Sequence, residues 1–311
     1  MLVFICMVFP FLTKTLGPYA YPVYSFIHGG GGSTEYPLAT LIRGYSFESA
    51  LHEWCHSWYQ MMLATNENLY AWMDEGFTNY AEARSLAWLR HEDFYASAEE
   101  YPLYFSLAKS PYDEPMSTPA NFYKTNFAYN YNAYYKGKIF LRQLAYIVSE
   151  KAIDKIMLEY YWKWRFKHPT PDDFIHVAEK TSSLQLKWYM DYMVNTTKTI
   201  DYGIDSLWEE NGKTKIRLRR MGLMPMPIDL QLTFKDGVKE LHYVPLDLMF
   251  GAKPKENDTL GRKAYDAWGW LNITYTVETS RRLRDIVLVE IDPTQRLADI
   301  DRRNNRLELK W

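Results

Sequence analysis

The chain has little of what marks a disulfide scaffold, a nucleic-acid partner or a membrane span. Its 311 residues include 2 cysteines, Cys6 near the start and Cys55 far from it. Two thiols so placed make a disulfide framework an improbable reading and leave the redox compartment open. An excess of one charge sign is also missing. A net charge of -2 and a pI near 6.4 leave no basic footprint for nucleic acid. Long apolar runs are absent too. Met1 to Leu12 is apolar, but a bilayer needs about 20 such residues. No basic segment precedes it and no small-residue cleavage site follows, so it reads as a buried helix or strand of the first domain. Neither a low-complexity tract nor an internal repeat is found.

What is present is a chain long enough for two domains and rich in aromatics, with 26 Tyr and 11 Trp. Their plainest role is packing a large helical lobe. Tyr21 to His28 alternates and reads as a strand, ended by the glycine run Gly29 to Gly32, with Glu35 to Ile42 as a second extended segment. Helical spacing then covers Phe47 to Ala64, with Ser46 as a candidate N-cap, and Trp72 to Leu89. Further helical stretches run over Asn132 to Ser149, Lys155 to Lys167, Pro171 to Ser182 and Leu184 to Asn195. Beyond Asn195 the pattern alternates. Ile228, Leu230, Leu232 and Phe234 share one strand face, Asp236-Gly237 supplies a hairpin turn, and Ile286 to Ile291 reads as a buried strand. The last third is therefore expected to be a small, structural β-sandwich that begins near residue 198. Asn-x-Thr sequons begin at Asn195, Asn257 and Asn272 and carry no weight without evidence of secretion.

One segment carries chemistry. In His52-Glu53-Trp54-Cys55-His56 the two histidines stand four apart, so on a helix both imidazoles face one cation. Imidazole nitrogen suits zinc, and Glu53 falls beside the position where a water would sit. Eighteen residues separate His56 from Glu75, enough to finish one helix and open another. His52, His56 and Glu75 would then be the metal ligands, leaving a fourth position open. A single zinc per chain would polarise its bound water, Glu53 would take the proton as general base, and the hydroxide would attack an amide carbonyl. Glu82 lies two turns beyond Glu75 and is either an orienting partner of a ligand histidine or a solvated acid. Cys55 is expected to be a small buried side chain. His28, His91, His168, His176 and His242 fall in no ligand spacing.

This motif, the eighteen-residue gap and Trp72-Met73-Asp74-Glu75-Gly76-Phe77-Thr78-Asn79-Tyr80-Ala81-Glu82 together resemble the aminopeptidase N family of gluzincins, which usually has Asn where this chain has Asp74. Gly32-Ser33-Thr34-Glu35-Tyr36 resembles that family's exopeptidase motif, and the resemblance assigns Glu35 to the free α-amine of the substrate. Tyr134-Tyr135-Lys136-Gly137 resembles its Tyr-x-Lys-Gly segment, which makes Tyr134 the oxyanion stabiliser. Tyr129, Tyr131 and Tyr135 crowd the same stretch. The implied fold class is α+β: a partial, mostly helical, thermolysin-like zinc-peptidase catalytic domain over 1–197, then the β-sandwich over 198–311. Met224-Pro225-Met226-Pro227 and Arg296-Leu297-Ala298-Asp299 resemble the β-domain of family members. Only about thirty residues precede the glycine motif, so the chain reads as an N-terminally truncated member. The implied activity is zinc-dependent removal of N-terminal residues from peptides with a free N-terminus. A thermolysin-like endopeptidase and a catalytically silent zinc-binding or interaction module are the alternatives. Preferred residue, oligomeric state and compartment are not legible.

Overall fold

The computed structural model describes residues 2–29, 31–44, 46–96, 100–256 and 261–310. The sequon at Asn257, and Gly30 within the glycine run, lie outside the described residues.

The chain opens with α1 (Leu2–Leu16), where the sequence allowed helix or strand. Only one stripe of it is buried. Ile5, Val8, Leu12 and Leu16 enter the core, while Val3, Phe4 and Met7 face out, as a spacing of three to four residues dictates on a helix. No described helix is long and apolar enough to cross a membrane. Three short strands follow, β1 (Ser25–His28), β2 (Thr34–Tyr36) and β3 (Ala39–Ile42). They form a sheet in the order β1-β3-β2, with β2 antiparallel to β3. The expected single segment over Glu35 to Ile42 is thus a hairpin, turned at Leu38, whose φ is 67°.

Helix α2 (Phe47–Cys55) starts where Ser46 accepts a hydrogen bond from the amide of Ser49, a cap worth about 1 kcal/mol. The expected helix to Ala64 does not run through. A π-helical turn, Ser57–Met62, follows, and the backbone leaves helical angles at Tyr59 and at Gln60, whose φ is 82°. Around the break Ser57, Trp58, Tyr59 and Gln60 are all buried, a run of consecutive positions that one face of a straight helix does not cover. Helix α3 (Ala71–Arg90) crosses behind α2. Next come α4 (Tyr101–Ala108), α5 (Asn126–Asn130), a second π turn (Tyr131–Lys136), α6 (Gly137–Val148), α7 (Glu150–Trp164), α8 (Pro171–Ser182) and α9 (Lys187–Met193).

From Tyr202 onward the described elements are mainly strands, with two single 3-10 turns. The strands are β4 (Tyr202–Glu210), β5 (Lys213–Arg220), β6 (Ile228–Phe234), β7 (Lys239–Val244), β8 (Arg262–Ala264), β9 (Thr274–Thr279), β10 (Ile286–Ile291) and β11 (Arg306–Glu308). They form two sheets, ordered β11-β10-β6-β7-β8 and β4-β5-β9. The expected hairpin joins β6 to β7 through Gly237, whose φ of 82° suits glycine. The Arg296-to-Asp299 segment meets α6: Gln143 donates to the Arg296 carbonyl at 2.7 Å and accepts from the Ala298 amide at 3.0 Å. Helices and sheets therefore share one continuous apolar core.

Candidate metal centre

His52 sits on α2 and His56 ends it, so their rings come from successive turns, with centroids 4.9 Å apart. Glu75 stands in the first turns of α3 and presents Oε2 to both, 3.2 Å from His52 Nε2 and 3.4 Å from His56 Nε2. The two Nε2 atoms are 3.2 Å apart. The other nitrogen of each ring is already engaged. His52 Nδ1 is 3.2 Å from Glu82 Oε2, and His56 Nδ1 is 2.6 Å from Asp74 Oδ1. With the Nδ1 protons given to these carboxylates, three lone pairs converge on one point. Such a set repels itself unless positive charge sits at its centre. Tetrahedral zinc with bonds of about 2.0–2.1 Å separates its donors by roughly 3.3–3.4 Å, and the observed triangle meets that spacing. These residues fit a zinc ion.

Electrostatics give the same reading. Burial opposes charge on His52, but hydrogen bonds to Glu75 and Glu82 prevail and raise it to about 9. Burial likewise opposes charge on His56, and Asp74 and Glu75 hold it well above the usual range. Burial works against ionisation of Glu75, yet the two histidines bring its carboxyl down to about 2. The pocket favours a cation among its nitrogens and an anion at Glu75.

Glu53 is buried beside this triangle, and its Oε2 meets no hydrogen-bond partner among the described residues. Burial pushes its carboxyl up to about 7 against the pull of His52 and His56. That is the range in which a carboxylate exchanges protons near neutrality. Glu35, on β2, offers an oxygen to a cluster with His56 and Asp74 whose ligand atoms all lie within 4.8 Å of one another. It opens into a cavity of about 390 Å³, also lined by Glu67, Asp74, Glu75, Tyr123 and Tyr129.

Among the crowded tyrosines, Tyr134 reaches the centre. Its ring stacks along His52 at 6.1 Å, and its hydroxyl donates to Glu75 Oε1 at 2.5 Å. Burial and the Glu75 charge push its phenol far up, so it stays a donor. Tyr131 and Tyr135 pair with each other instead, at 5.3 Å. The turn that carries Tyr134 is anchored by the buried Lys136, whose Nζ is 3.8 Å from Asp113. Two glycines set its distance from Glu75. A Cβ on Gly76 would lie 2.5 Å from Gly137 Cα, and one on Gly137 would lie 2.8 Å from Gly76 Cα. Helices α3 and α6 thus touch backbone to backbone one residue beyond Glu75.

The structure brings together all six residues singled out from the sequence: His52, Glu53, His56, Glu75, Glu35 and Tyr134. It also sets Glu82 Oε2 at hydrogen-bond distance from His52 Nδ1 and buries Cys55 completely. Sequence reasoning missed the contact of Asp74 with His56 and the Gly76–Gly137 crossing. For Asp74 the available signal was its departure from the family's usual Asn.

Residues 45–193 match the Peptidase family M1 domain. Aminopeptidase B of Rattus norvegicus is 28% identical over 228 residues, covering 62% of this chain and 31% of the relative. Aminopeptidase B of Mus musculus is 27% identical over 226 residues, with the same shares. The matched stretch therefore spans less than a third of these curated relatives. Among solved structures, a mutant of an M1 zinc metallopeptidase from Deinococcus radiodurans superposes with a TM-score of 0.53 at 19% identity, over 61% of this chain and 44% of that one. Aminopeptidase A of Legionella pneumophila, in complex with aspartic acid, superposes with a TM-score of 0.63 at 12% identity. That match covers 95% of this chain and 34% of the other. At such identities these likenesses speak for the fold alone.

Proposed function

From the match of residues 45–193 to the Peptidase family M1 domain we propose that the chain is a zinc-dependent aminopeptidase of that family. One observation carries the reading: the triangle of His52 Nε2, His56 Nε2 and Glu75 Oε2, with the Oε2 of Glu53, which has no partner among the described residues, on the helix that bears His52 and that His56 ends. His52, His56 and Glu75 would hold a zinc ion, which would supply Lewis-acid polarisation at the site. Glu53 accepts the proton of the attacking water and delivers it to the leaving amine. Tyr134 donates its hydroxyl proton to the hydrogen bond that steadies the developing oxyanion. Glu35 pairs with the substrate's α-ammonium and fixes the distance from the N-terminus to the bond that is cut. The cavity before β2, with carboxylates of Glu35, Glu67, Asp74 and Glu75 on its wall, suits a cationic amine. Residues 1–197 make up the catalytic part, thermolysin-like in build, and 198–311 a supporting β-sandwich.

The test uses aminoacyl-anilide substrates with wild type and Glu53→Gln. Wild type should show chelator-sensitive turnover. The variant should lose it by about 10²–10⁴-fold while keeping one zinc. A wild-type chain that binds zinc stoichiometrically and never turns over overturns the enzymatic reading. One that cuts N-acetylated and free peptides equally well overturns the exopeptidase assignment and leaves an endopeptidase.

A further inference from the structure

The contact between His56 and Asp74 goes further than the ligand set. Both atoms are buried, with side-chain exposures of 1% and 7%, and the Nδ1–Oδ1 distance is 2.6 Å. The Glu82 partner of His52 is longer, at 3.2 Å, and wetter, at 19% exposure. Thr78 Oγ1 also stands 3.2 Å from His56 Nδ1, but a hydroxyl brings no formal charge. The chain thus gives each ligand histidine a carboxylate partner, and the shorter, drier pair sits where the resembled family usually has a neutral amide.

We propose that Asp74 is a positioning residue that raises metal affinity through its charge, and that it is the stronger of the two carboxylate partners. The inference rests on the zinc assignment made above. A carboxylate accepting from Nδ1–H locks the tautomer that leaves Nε2 free, and it makes the ring a better electron-pair donor. An amide oxygen in the same place does the first and, carrying no formal charge, does the second more weakly. The charge acts more strongly here than at Glu82, because it is closer and less screened by solvent.

The experiment separates hydrogen bonding from charge. Zinc dissociation constants are measured at one pH by competition with a chromophoric chelator, for wild type, D74N, D74A and E82Q. Urea unfolding of each metal-free chain is followed alongside. D74N keeps the shape and an oxygen acceptor, yet is expected to bind zinc about 10–100-fold more weakly. E82Q should lose less, and D74A at least as much as D74N. The His56 Nδ1 proton, read by NMR in the zinc-loaded wild type, should lie far downfield and move back in D74N. If D74N holds zinc as tightly as wild type while D74A does not, an acceptor alone suffices and the charge claim falls. An E82Q loss larger than that of D74N overturns the ranking. If D74N loses metal-free stability in proportion to affinity, the residue is structural and the proposal fails. A wild-type chain that takes up no zinc overturns the ligand assignment itself, and this inference with it.

Discussion

Replacing Gly76 with alanine tests whether backbone contact between α3 and α6 sets the geometry of the centre. The added Cβ would stand 2.5 Å from Gly137 Cα, 2.6 Å from its carbonyl carbon and 2.9 Å from the Ala133 oxygen. Ordinary contact begins at 3.4 Å, and every atom met is backbone, which cannot rotate aside. The helices must part by close to 1 Å. Overpacking of this kind costs roughly 1–3 kcal/mol, and alanine returns about 1 kcal/mol through its helix propensity. The net loss is then on the order of 1 kcal/mol, a fall of a few degrees in Tm. Function should suffer far more. Glu75 precedes Gly76 by one residue and Tyr134 precedes Gly137 by three, so a shift of about 1 Å between the helices pulls the phenol from its place. Misplacement on that scale costs about 100-fold in rate. Zinc should stay bound, because its three proposed ligands lie on α2, its end and α3. The assay is kcat/KM on an aminoacyl-anilide beside thermal unfolding and zinc content. Gly261→Ala is the control, since a Cβ there meets nothing within 4 Å. A Gly76→Ala chain with wild-type turnover and stability would refute the reasoning.

Two further outcomes are expected. Tyr134→Phe keeps the ring on His52 but removes the donor. It should lower kcat by about 10²–10³ with zinc content and KM little changed, and a drop under about fivefold in kcat would exclude the oxyanion role. His242, buried against Tyr265 at 2.8 Å and with Glu240 at 3.3 Å, is pushed down to about 4 by burial, against Glu240 and with Lys263. The folded chain therefore binds fewer protons than the unfolded one between about pH 4 and 6.5. The stabilisation is present above pH 6.5 and is lost as pH falls through that window, by up to about 1.4 kcal/mol per unit. Urea unfolding at pH 7 and pH 4.5 should show a smaller acid loss in His242→Phe than in wild type, and equal losses would sink the assignment.

Much of the centre was legible because its chemistry is local. His52 and His56 are one helical turn apart, and Glu75 opens the next long helix, so spacing alone brought three donors together. The mixed helix-and-strand class was legible from the change of period after Asn195, and β6, β7 and β10 fall where alternation put them. Other parts depend on partners remote in sequence. The hairpin of β4 and β5 passed unseen because Lys213, Lys215, Arg217 and Arg219 dominate its outer face, although Thr214, Ile216 and Leu218 alternate inward. Helix α4 is short, and Tyr101, Tyr104 and Leu107 show its buried side only once a core exists to receive them. Asp74 looked like an ordinary acid at a helix start, and nothing in α3 alone says that a histidine on α2 ends 2.6 Å away.

The tyrosine register shows how a π turn presents side chains that regular helical periodicity would not bring together. At 3.6 residues per turn, side chains four apart share a face, and the stretch from Tyr129 to Tyr135 offers Tyr131 and Tyr135 as such a pair. They do pair, ring to ring at 5.3 Å. The chain over Tyr131–Lys136 is a π turn, in which hydrogen bonds reach five residues ahead and residues five apart come into line. Tyr129 and Tyr134 are five apart, and both face the centre, ring to ring at 6.3 Å. The wide turn is held from below by Lys136 on Asp113 and from beside by the contact of Gly137 with Gly76. Tightening it to a regular helix would rotate Tyr134 off Glu75. The Tyr-x-Lys-Gly spacing thus encodes one structural device: a residue to present, a cation to anchor the turn, and a glycine to bring it close.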